Sequence, residues 1–434
     1  MDTPSGKCTK AMDEGDRISG LPDEVRQHIL SFLPASDVVR TCVLSPSWRH
    51  IWASARRLNI KAKGFSGQKR FIKFVNSLLL SRGCTPLDSF SLDANGPDIY
   101  LEHFCDTAYL WICYALRSNV QTLSITDHNR ADAYKEFEDE EDQPDVFLLD
   151  HCPFTSSYLK RLHLCSVCVD KCFLKNLFSG CPGLEELDMM NCVIHATEFS
   201  SATLKKLSID FNNFPERAEY GYIDIVINMP SLFSLHIGAL LGAVASLVDV
   251  QSLITASIYL NTHRRYKFVH GCKILRALSN VKNLEVLFPH GVSWDNSMQS
   301  DMHLCGVVFT NLTTLSLSDW CLYDHCKPLL YLLEHSPNLE ELTLKITQPM
   351  YHHSLDWHCR AASELDSPCV ENADAFNCKN LEKIEILCQN SDKMVGLLVT
   401  LLLTKIVSPP QISITPSSHW ANSYSWACFW ELRS

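Results

Sequence analysis

The sequence predicts an α/β protein: three short helices at the N-terminus, then an irregular solenoid of repeats around a curved parallel sheet. Three observations predict it. Residues 16–60 carry three separate helix-start signals. From Leu87 onward a unit of the form L-x-x-L-x-L recurs. Between several copies lie amphipathic stretches that end at Gly, Asn or Pro, as helices do when they stop.

The first helix opens at Pro22, which can take a first-turn position where its missing N–H costs nothing. Asp23 and Glu24 then sit at the positive end of the helix dipole. Val25, Ile29, Leu30 and Leu33 follow at helical spacing. Pro34 stops that helix, and Ser36 or Asp37 can cap the next. Ser45-Pro46 opens a third, with Trp48, Ile51, Trp52 and Ala55 on one face. A segment this small buries too little of its own surface to be secure alone. It needs a partner, or the domain that follows.

These residues resemble an F-box, of the plant type that precedes leucine-rich repeats. The resemblance is carried by Leu21-Pro22, Ile29-Leu30-x-x-Leu33, Asp37-Val38-Val39, Val43-Leu44-Ser45 and Trp48-Arg49-x-x-Trp52. It implies docking onto the Skp adaptor of a cullin-based SCF ubiquitin ligase. Leu21, Pro22, Ile29, Leu30, Leu33, Val38, Val39, Val43, Leu44, Trp48 and Trp52 would then be the adaptor-binding set. The plainer alternative is a small three-helix cap on a larger domain.

The repeat appears as LDSFSL from Leu87, VQTLSI from Val120, LKRLHL from Leu159, LEELDM from Leu184 and LKKLSI from Leu204. It continues as LFSLHI from Leu232, LTTLSL from Leu312, LEELTL from Leu339 and LEKIEI from Leu381. NLEVLF at Asn283–Phe288 is a weaker copy, and SLITASIYL before Leu260 holds a degenerate one. Spacings between successive copies, the weak and degenerate ones included, run from 20 to 42 residues, straddling the leucine-rich repeat range. Cys192 and Asn212 occupy the polar N/C position, and Val169, Ile194, Phe214 and Leu322 the apolar position beyond it.

Each L-x-L reads as a short strand whose leucines point inward, with the x residues outward on the concave face of the sheet. Helical segments such as CFLKNLFSGCPG, HGCKILRALSNVKN and HCKPLLYLLEHSPN return the chain on the other side. The outward residues are the candidate contacts for a protein target: Arg161, His163, Glu186, Asp188, Lys206, Ser208, His236, Ser316, Glu341 and Thr343, with Ser234 and Thr314 beside them. A solvated face is the plainer reading of any one of them.

Two interruptions stand out. Glu136–Asp145, EFEDEEDQPD, holds seven acidic residues in ten and reads as a solvated loop. Met350–Cys378 separates the last two copies and carries His352, His353, His358, Cys359, Cys369 and Cys378. Their spacings fit no familiar metal finger. Cys165-x-x-Cys168, with Cys172 and Cys181 beyond, likewise lacks a second pair, so the 20 cysteines are expected as reduced structural thiols with no metal or cofactor. CKNLEKIEILCQNSDKMVGLLVTLLL resembles the FBD region that ends many plant F-box repeat proteins: a final strand leading into a capping helix. Ser408-Pro409-Pro410 breaks that pattern, and no repeat is expected beyond it.

The expected organisation is a disordered leader over 1–15, the F-box over 16–60, and the repeat solenoid over 61–378. The final repeat and cap occupy 379–407 and an irregular tail 408–434. A formal net charge of −11 argues against general nucleic-acid binding. The N-terminus has no apolar core of a secretory signal, and the longest apolar run, Met394–Val407, is too short to span a membrane. The chain lacks a nucleotide-binding glycine loop, GxSxG and HExxH. The reading is a non-catalytic cytoplasmic or nuclear receptor subunit, linked through the Skp adaptor to cullin and holding an unknown protein substrate. The alternative is a repeat scaffold that recruits no ligase.

Overall fold

The computed structural model describes residues 18, 20–49, 51–83, 85–96, 104–127, 149, 154–210, 212–213, 223–241, 243–260, 269–287, 306–346, 379–388, 393–406 and 409–416. The acidic block at 136–145, the His/Cys segment at 350–378, Phe214 and Trp420, Trp426 and Trp430 lie outside them. The chain divides into two compact units: residues 1–168 with 175–184, and 169–174 with 185–434.

The first unit opens with α1 (Asp23–Leu30) and α2 (Ala35–Arg40). Each begins immediately after a proline, Pro22 and Pro34, whose backbone is extended (ψ 151° and 146°). These prolines are therefore the caps themselves, and the expected caps Ser36 and Asp37 lie inside α2, where Asp37 pairs with Arg40 at 2.9 Å. In place of the expected third helix stand two 3-10 turns, Pro46–Trp48 and Ile51–Ser54, with another, Thr41–Val43, before its expected opening. Ser45, that opening, is extended (φ −161°, ψ 165°), as a residue that caps a helical turn is. The turns close by i→i+3 bonds instead, Trp48 N to Ser45 O at 3.0 Å and Ala55 N to Trp52 O at 3.2 Å.

Four parallel strands follow in order: β1 (Arg57–Lys61), β2 (Ser89–Asp93), β3 (Thr122–Thr126) and β4 (Arg161–Cys165). β1 crosses the expected boundary at residue 60, because Leu58 and Ile60 alternate inward and pair in register with Phe90 and Leu92. α3 (Gln68–Arg82) and α4 (Phe104–Arg117) join the first three strands. They meet through Phe71, Phe104 and Trp111, whose ring centroids lie 5.6–6.1 Å apart. The Trp111 indole N–H donates to Asn76 Oδ1 at 2.8 Å, leaving that buried polar atom satisfied.

The rest of the chain contributes β5 (Cys168–Asp170), α5 (Lys171–Gly180), β6 (Glu186–Met190), β7 (Val193–His195), β8 (Glu198–Ser200), β9 (Lys206–Asp210) and β10 (Asn212–Asn213). Next come β11 (Ile223–Asn228), β12 (Ser234–Ile237), β13 (Leu240–Leu241), β14 (Ala243–Asp249), β15 (Thr255–Tyr259), α6 (Val269–Ala277), β16 (Asn283–Leu287) and β17 (Thr314–Ser318). A helix at Tyr323–Glu334 precedes β18 (Glu341–Ile346), and β19 (Lys383–Cys388) precedes a helix at Lys393–Lys405 and β20 (Gln411–Pro416). In the second unit the repeat strands stack in parallel in the order β6-β9-β12-β15-β16-β17-β18-β19-β20.

Every copy of L-x-x-L-x-L carries one of these strands, including the weak copy (β16) and the degenerate one (β15). The alternation is visible in burial: Leu187, Leu207, Leu235, Leu284, Leu315, Leu342 and Ile384 are all buried, with half-buried residues between. Cys192, Ile194, Val169 and Leu322 are buried as the extended repeat pattern requires.

Two expectations need correction. The return segments are not all helical: β8, β11 and β14 form a second parallel sheet. Ile225 and Ile227 alternate inward there with period two, a strand pattern that competes successfully with helix. Second, the segment expected to be irregular holds a strand. Pro409-Pro410 ends the preceding helix, but β20 then pairs with β19 from Lys383↔Gln411 to Cys388↔Pro416.

Candidate functional site

The N-terminal helices close over a small core of Leu30, Val38, Trp48 and Ile51, with Leu33 and Trp52 packed against it. Arg26 is buried beside it, paired with Asp23 and lying 5.7 Å over the Trp48 ring. Arg82, at the C-terminal end of α3, donates from Nη1 to the Trp52 carbonyl at 3.1 Å. Burial lowers its pKa, and Tyr114 beside it acts in the opposite direction. The helical segment is thereby tied to the first repeats by a buried guanidinium.

The eleven expected adaptor-binding residues split by this geometry. Leu30, Val38 and Trp48 are core; Leu33 and Trp52 are partly buried against it; Leu21 and Val39 are half-buried. Pro22, Ile29, Val43 and Leu44 are exposed. Val43 is 86% and Leu44 64% exposed, far beyond what a solitary surface aliphatic needs. Two further exposed residues join Ile29 along α1 and its end, Val25 and, at 69%, Phe32. In the sequence Val25 stands out only by its helical spacing with Ile29 and Leu30, and Phe32 was not singled out at all. Its signal was present, since Val25, Ile29 and Phe32 share one helical stripe at i, i+4, i+7.

The expected target-binding residues all alternate with core leucines and lie on the polar side of their strands. In the first unit Thr122 is opposite Arg161 and Ser124 opposite His163. In the second unit Glu186, Lys206, Ser234, Thr255, Asn283, Thr314, Glu341 and Lys383 form one transverse row. Asp188, Ser208, His236, Ser257, Glu285, Ser316, Thr343 and Glu385 form the next.

Several are bound to one another. Lys206 pairs with Glu186 at 3.0 Å and lies 5.8 Å over the Phe233 ring. His236 Nε2 is 3.8 Å from Asp210 Oδ2, and Asp210 Oδ1 accepts from Ala239 N at 3.2 Å. That carboxylate fills the space where a side chain on Gly238 would sit, 1.5 Å from an added Cβ, so residue 238 must be glycine. Ser257 donates to Glu285 Oε2 at 2.6 Å, and Lys345 binds Oε1 of the same carboxylate. Burial alone would push Glu285 up, but Lys345, Ser257 and His236 together hold it below the usual carboxylate range. Sequence reading missed Ser257, Glu285, Lys345 and Asp210. Ser257 and Glu285 stand in the two weakest repeat copies, and Lys345 and Asp210 lie just past the six-residue unit.

Among the described residues the cysteines form no disulfide and are mostly buried, and no group of His, Cys, Asp and Glu there is arranged to hold a metal ion. Burial pushes the Cys181 thiol up to about 11, away from nucleophilic character. No helix among the described residues is long and apolar enough to cross a membrane.

The family model for the F-box domain matches residues 18–59, the span of the helical segment and the start of β1. Three relatives from Arabidopsis thaliana extend the likeness over the repeats. An F-box/FBD/LRR-repeat protein is 30% identical over 364 residues, covering 76% of this chain and 77% of its own length. This chain belongs to the plant F-box/LRR-repeat proteins. An F-box/LRR-repeat protein is 28% identical over 420 residues, covering 91% of this chain and 86% of that relative. A second F-box/LRR-repeat protein is 27% identical over 413 residues, 86% of this chain but 60% of the relative. In this F-box/LRR-repeat chain the two elements of the family name correspond to two surfaces: exposed aliphatics on the helices and a polar strand face on the repeats.

Proposed function

We propose that this chain is a substrate-recognition subunit of a cullin-based SCF ubiquitin ligase. Its F-box docks onto the Skp adaptor, and the polar strand face of its repeats holds a target protein. The observation that carries the reading is the division within the helical segment. Leu30, Val38, Trp48 and Ile51 already close a core, yet Val25, Ile29, Phe32, Val43 and Leu44 remain exposed. Apolar side chains left outside a completed core are what a partner surface requires. A scaffold whose F-box packs only internally would have buried Val43 and Leu44, so the exposure favours the receptor over the scaffold reading.

On this reading the chain performs no chemistry. Ubiquitin transfer belongs to other subunits, and this chain raises the effective concentration of a substrate lysine near the charged carrier. The test is a pull-down of the full chain with the Skp adaptor. Val43→Asp with Leu44→Asp should abolish capture while the repeats stay folded by circular dichroism. Undiminished capture by the double variant, or none by the wild-type chain, defeats the proposal.

A further inference from the structure

We infer that the loop between β1 and α3, with the first turns of α3, is a docking surface for a run of carboxylates on a partner protein. Lys63, Lys69, Arg70 and Lys73 are its contacts. The inference goes beyond the receptor reading, because this surface is neither the F-box nor the polar strand face.

Charge is spread unevenly along the chain. Acids outnumber Lys and Arg by 49 to 38, yet the stretch from Arg56 to Leu87 holds eight Lys or Arg and no Asp or Glu. Four of the eight have other surroundings. Arg56 grips both oxygens of Asp88, and Arg57 helps to depress the pKa of that carboxyl. Arg82 is buried against Trp52, and Lys61 ends β1 opposite Asp93. Lys63, Lys69, Arg70 and Lys73 remain, all exposed. None of them makes an ion pair among the described residues, and neither does Asp106 in the first turn of the neighbouring α4.

This arrangement costs stability within the chain. Lys69 and Lys73 are like charges one helical turn apart, where they repel. Lys69 and Arg70 stand in the first turn of α3, which holds no acid, at the end of a helix where acids are favoured. Carboxylates from a partner remove both costs.

The surface is also open and held in shape. Gly64 and Gly67 have left-handed backbones (φ 103° and 99°), and a side chain added at either would meet nothing within 4 Å. Phe65 between them packs on Phe71 and Phe74, with ring centroids 5.3 and 5.1 Å away. Arg70 Nη1 donates to Ser66 Oγ at 2.6 Å and ties the loop to the helix. A loop fixed in this way loses little freedom on binding. Arg82 ties the opposite end of α3 to the F-box segment. At 1.5 Å per residue Lys69 lies about 20 Å from that seam.

The chemistry selects among anions. A nucleic acid or an anionic membrane is an extended polyanion and meets a chain of net charge −11. Nor does the loop offer a base a ring to stack on, since Phe65 is turned onto Phe71 and Phe74. A short acidic segment of a protein meets only the local patch.

The experiment measures fluorescence anisotropy with the full chain. The probes are a labelled peptide of repeated Glu-Glu-Ser, its Gln-Gln-Ser counterpart, a single-stranded oligonucleotide, and phosphatidylserine vesicles read by co-sedimentation. The glutamate peptide should bind at least tenfold tighter than the glutamine one and weaken as salt rises. Lys69→Glu with Lys73→Glu should cost at least tenfold, whereas Lys69→Arg with Lys73→Arg should bind as wild type does. Lys160→Glu with Lys175→Glu makes the same change of net charge at two other exposed lysines and should also bind as wild type does. No preference for glutamate overturns the inference, as does an equal loss in the two charge-reversed pairs. So does tighter binding of the oligonucleotide or the vesicles through Lys69 and Lys73. Binding that emerges only when the acids of Glu136–Asp145 are replaced by their amides would make the chain's own acidic block the occupant, and would overturn it too. Skp capture, read in parallel, should be unchanged by Lys69→Glu with Lys73→Glu. Its loss in that folded variant would assign the lysines to adaptor docking and remove the separate partner.

Discussion

Lys345 on β18 reaches over β17 to bind Glu285 on β16, a bridge between residues 60 positions apart in the chain. It fixes the spacing of three consecutive repeats from the polar side, while the leucine columns fix it from the core. Both side chains are about one-fifth exposed, so the pair is partly shielded from water and from salt. Glu285→Gln should lower stability by about 1–2 kcal/mol, between the values of exposed and buried pairs. The pH dependence follows in sign. The folded carboxylate is held below its ordinary range, so its contribution is fully present above the unfolded pKa and is lost as pH falls through the folded one. Denaturant midpoints between neutral pH and pH 3 should therefore fall less for Glu285→Gln than for wild type. Parallel curves would show that the bridge contributes nothing.

Ser316 lies on the strand that Lys345 crosses, and its hydroxyl is buried without a hydrogen-bond partner among the described residues. Removing an unsatisfied buried hydroxyl takes away a desolvation cost. Ser316→Ala should be neutral or stabilising by up to about 1 kcal/mol. Ser316→Leu should destabilise, because the larger side chain blocks the lysine's path to Glu285. Urea unfolding distinguishes the two. A loss in Ser316→Ala would mean that the hydroxyl has a partner in solution.

The F-box offers a clean separation of stability from docking. Leu30 is 1% exposed within its core, and Leu30→Ala should cost about 2–5 kcal/mol of the segment's stability. Ile29→Asp, one residue earlier on the exposed stripe, should change stability by no more than about 0.5 kcal/mol. It should instead weaken Skp capture about tenfold or more, as loss of an interface anchor does. Leu21-Pro22→Ala-Ala tests the same surface at its edge. If Ile29→Asp unfolds the segment and Leu30→Ala does not, the assignment of core and docking faces is reversed.

The legible and illegible parts of this fold divide by the range of the interactions involved. Each L-x-x-L-x-L announces its strand locally, because alternation and leucine packing are written into six residues; even the degenerate copy at Thr255–Tyr259 is a strand. The division of the third F-box segment into two 3-10 turns was less visible, since Trp48, Ile51, Trp52 and Ala55 also satisfy a helical spacing. The side of α1 that faces outward was ambiguous for the same reason. Val25, Ile29 and Leu30 are all apolar, and only packing against Val38 and Trp48 decides that Leu30 goes in. The Lys345–Glu285 bridge and the Gly238–Asp210 fit leave no local pattern at all. They depend on which strands become neighbours, and that is settled by the whole stack.

The C-terminal edge gives the last prediction. The helix at Lys393–Lys405 buries Val395, Leu398, Leu401 and Leu402, with Ile406 just beyond it. β20 then adds a parallel strand to β19, with Gln411 N donating to Glu382 O at 2.8 Å. The helix alone would make truncation after Ile406 harmless; β20 changes that expectation. Ile412 and Ile414 extend the inward columns of Ile384 and Ile386, and Ile414 at 43% exposure shows that the column is ending. Truncation after Ile406 removes the strand and leaves the β19 edge unpaired, a template for association. It should cost about 2–4 kcal/mol, the sum of several lost ladder bonds at about 1 kcal/mol each. Truncation after Cys388 should go further and aggregate, because it also uncovers the leucines under the helix. Thermal scans with light scattering on chains ending at Pro416, Ile406 and Cys388 check the order. Equal melting of the first two would show that β20 adds nothing and that the helix is the cap.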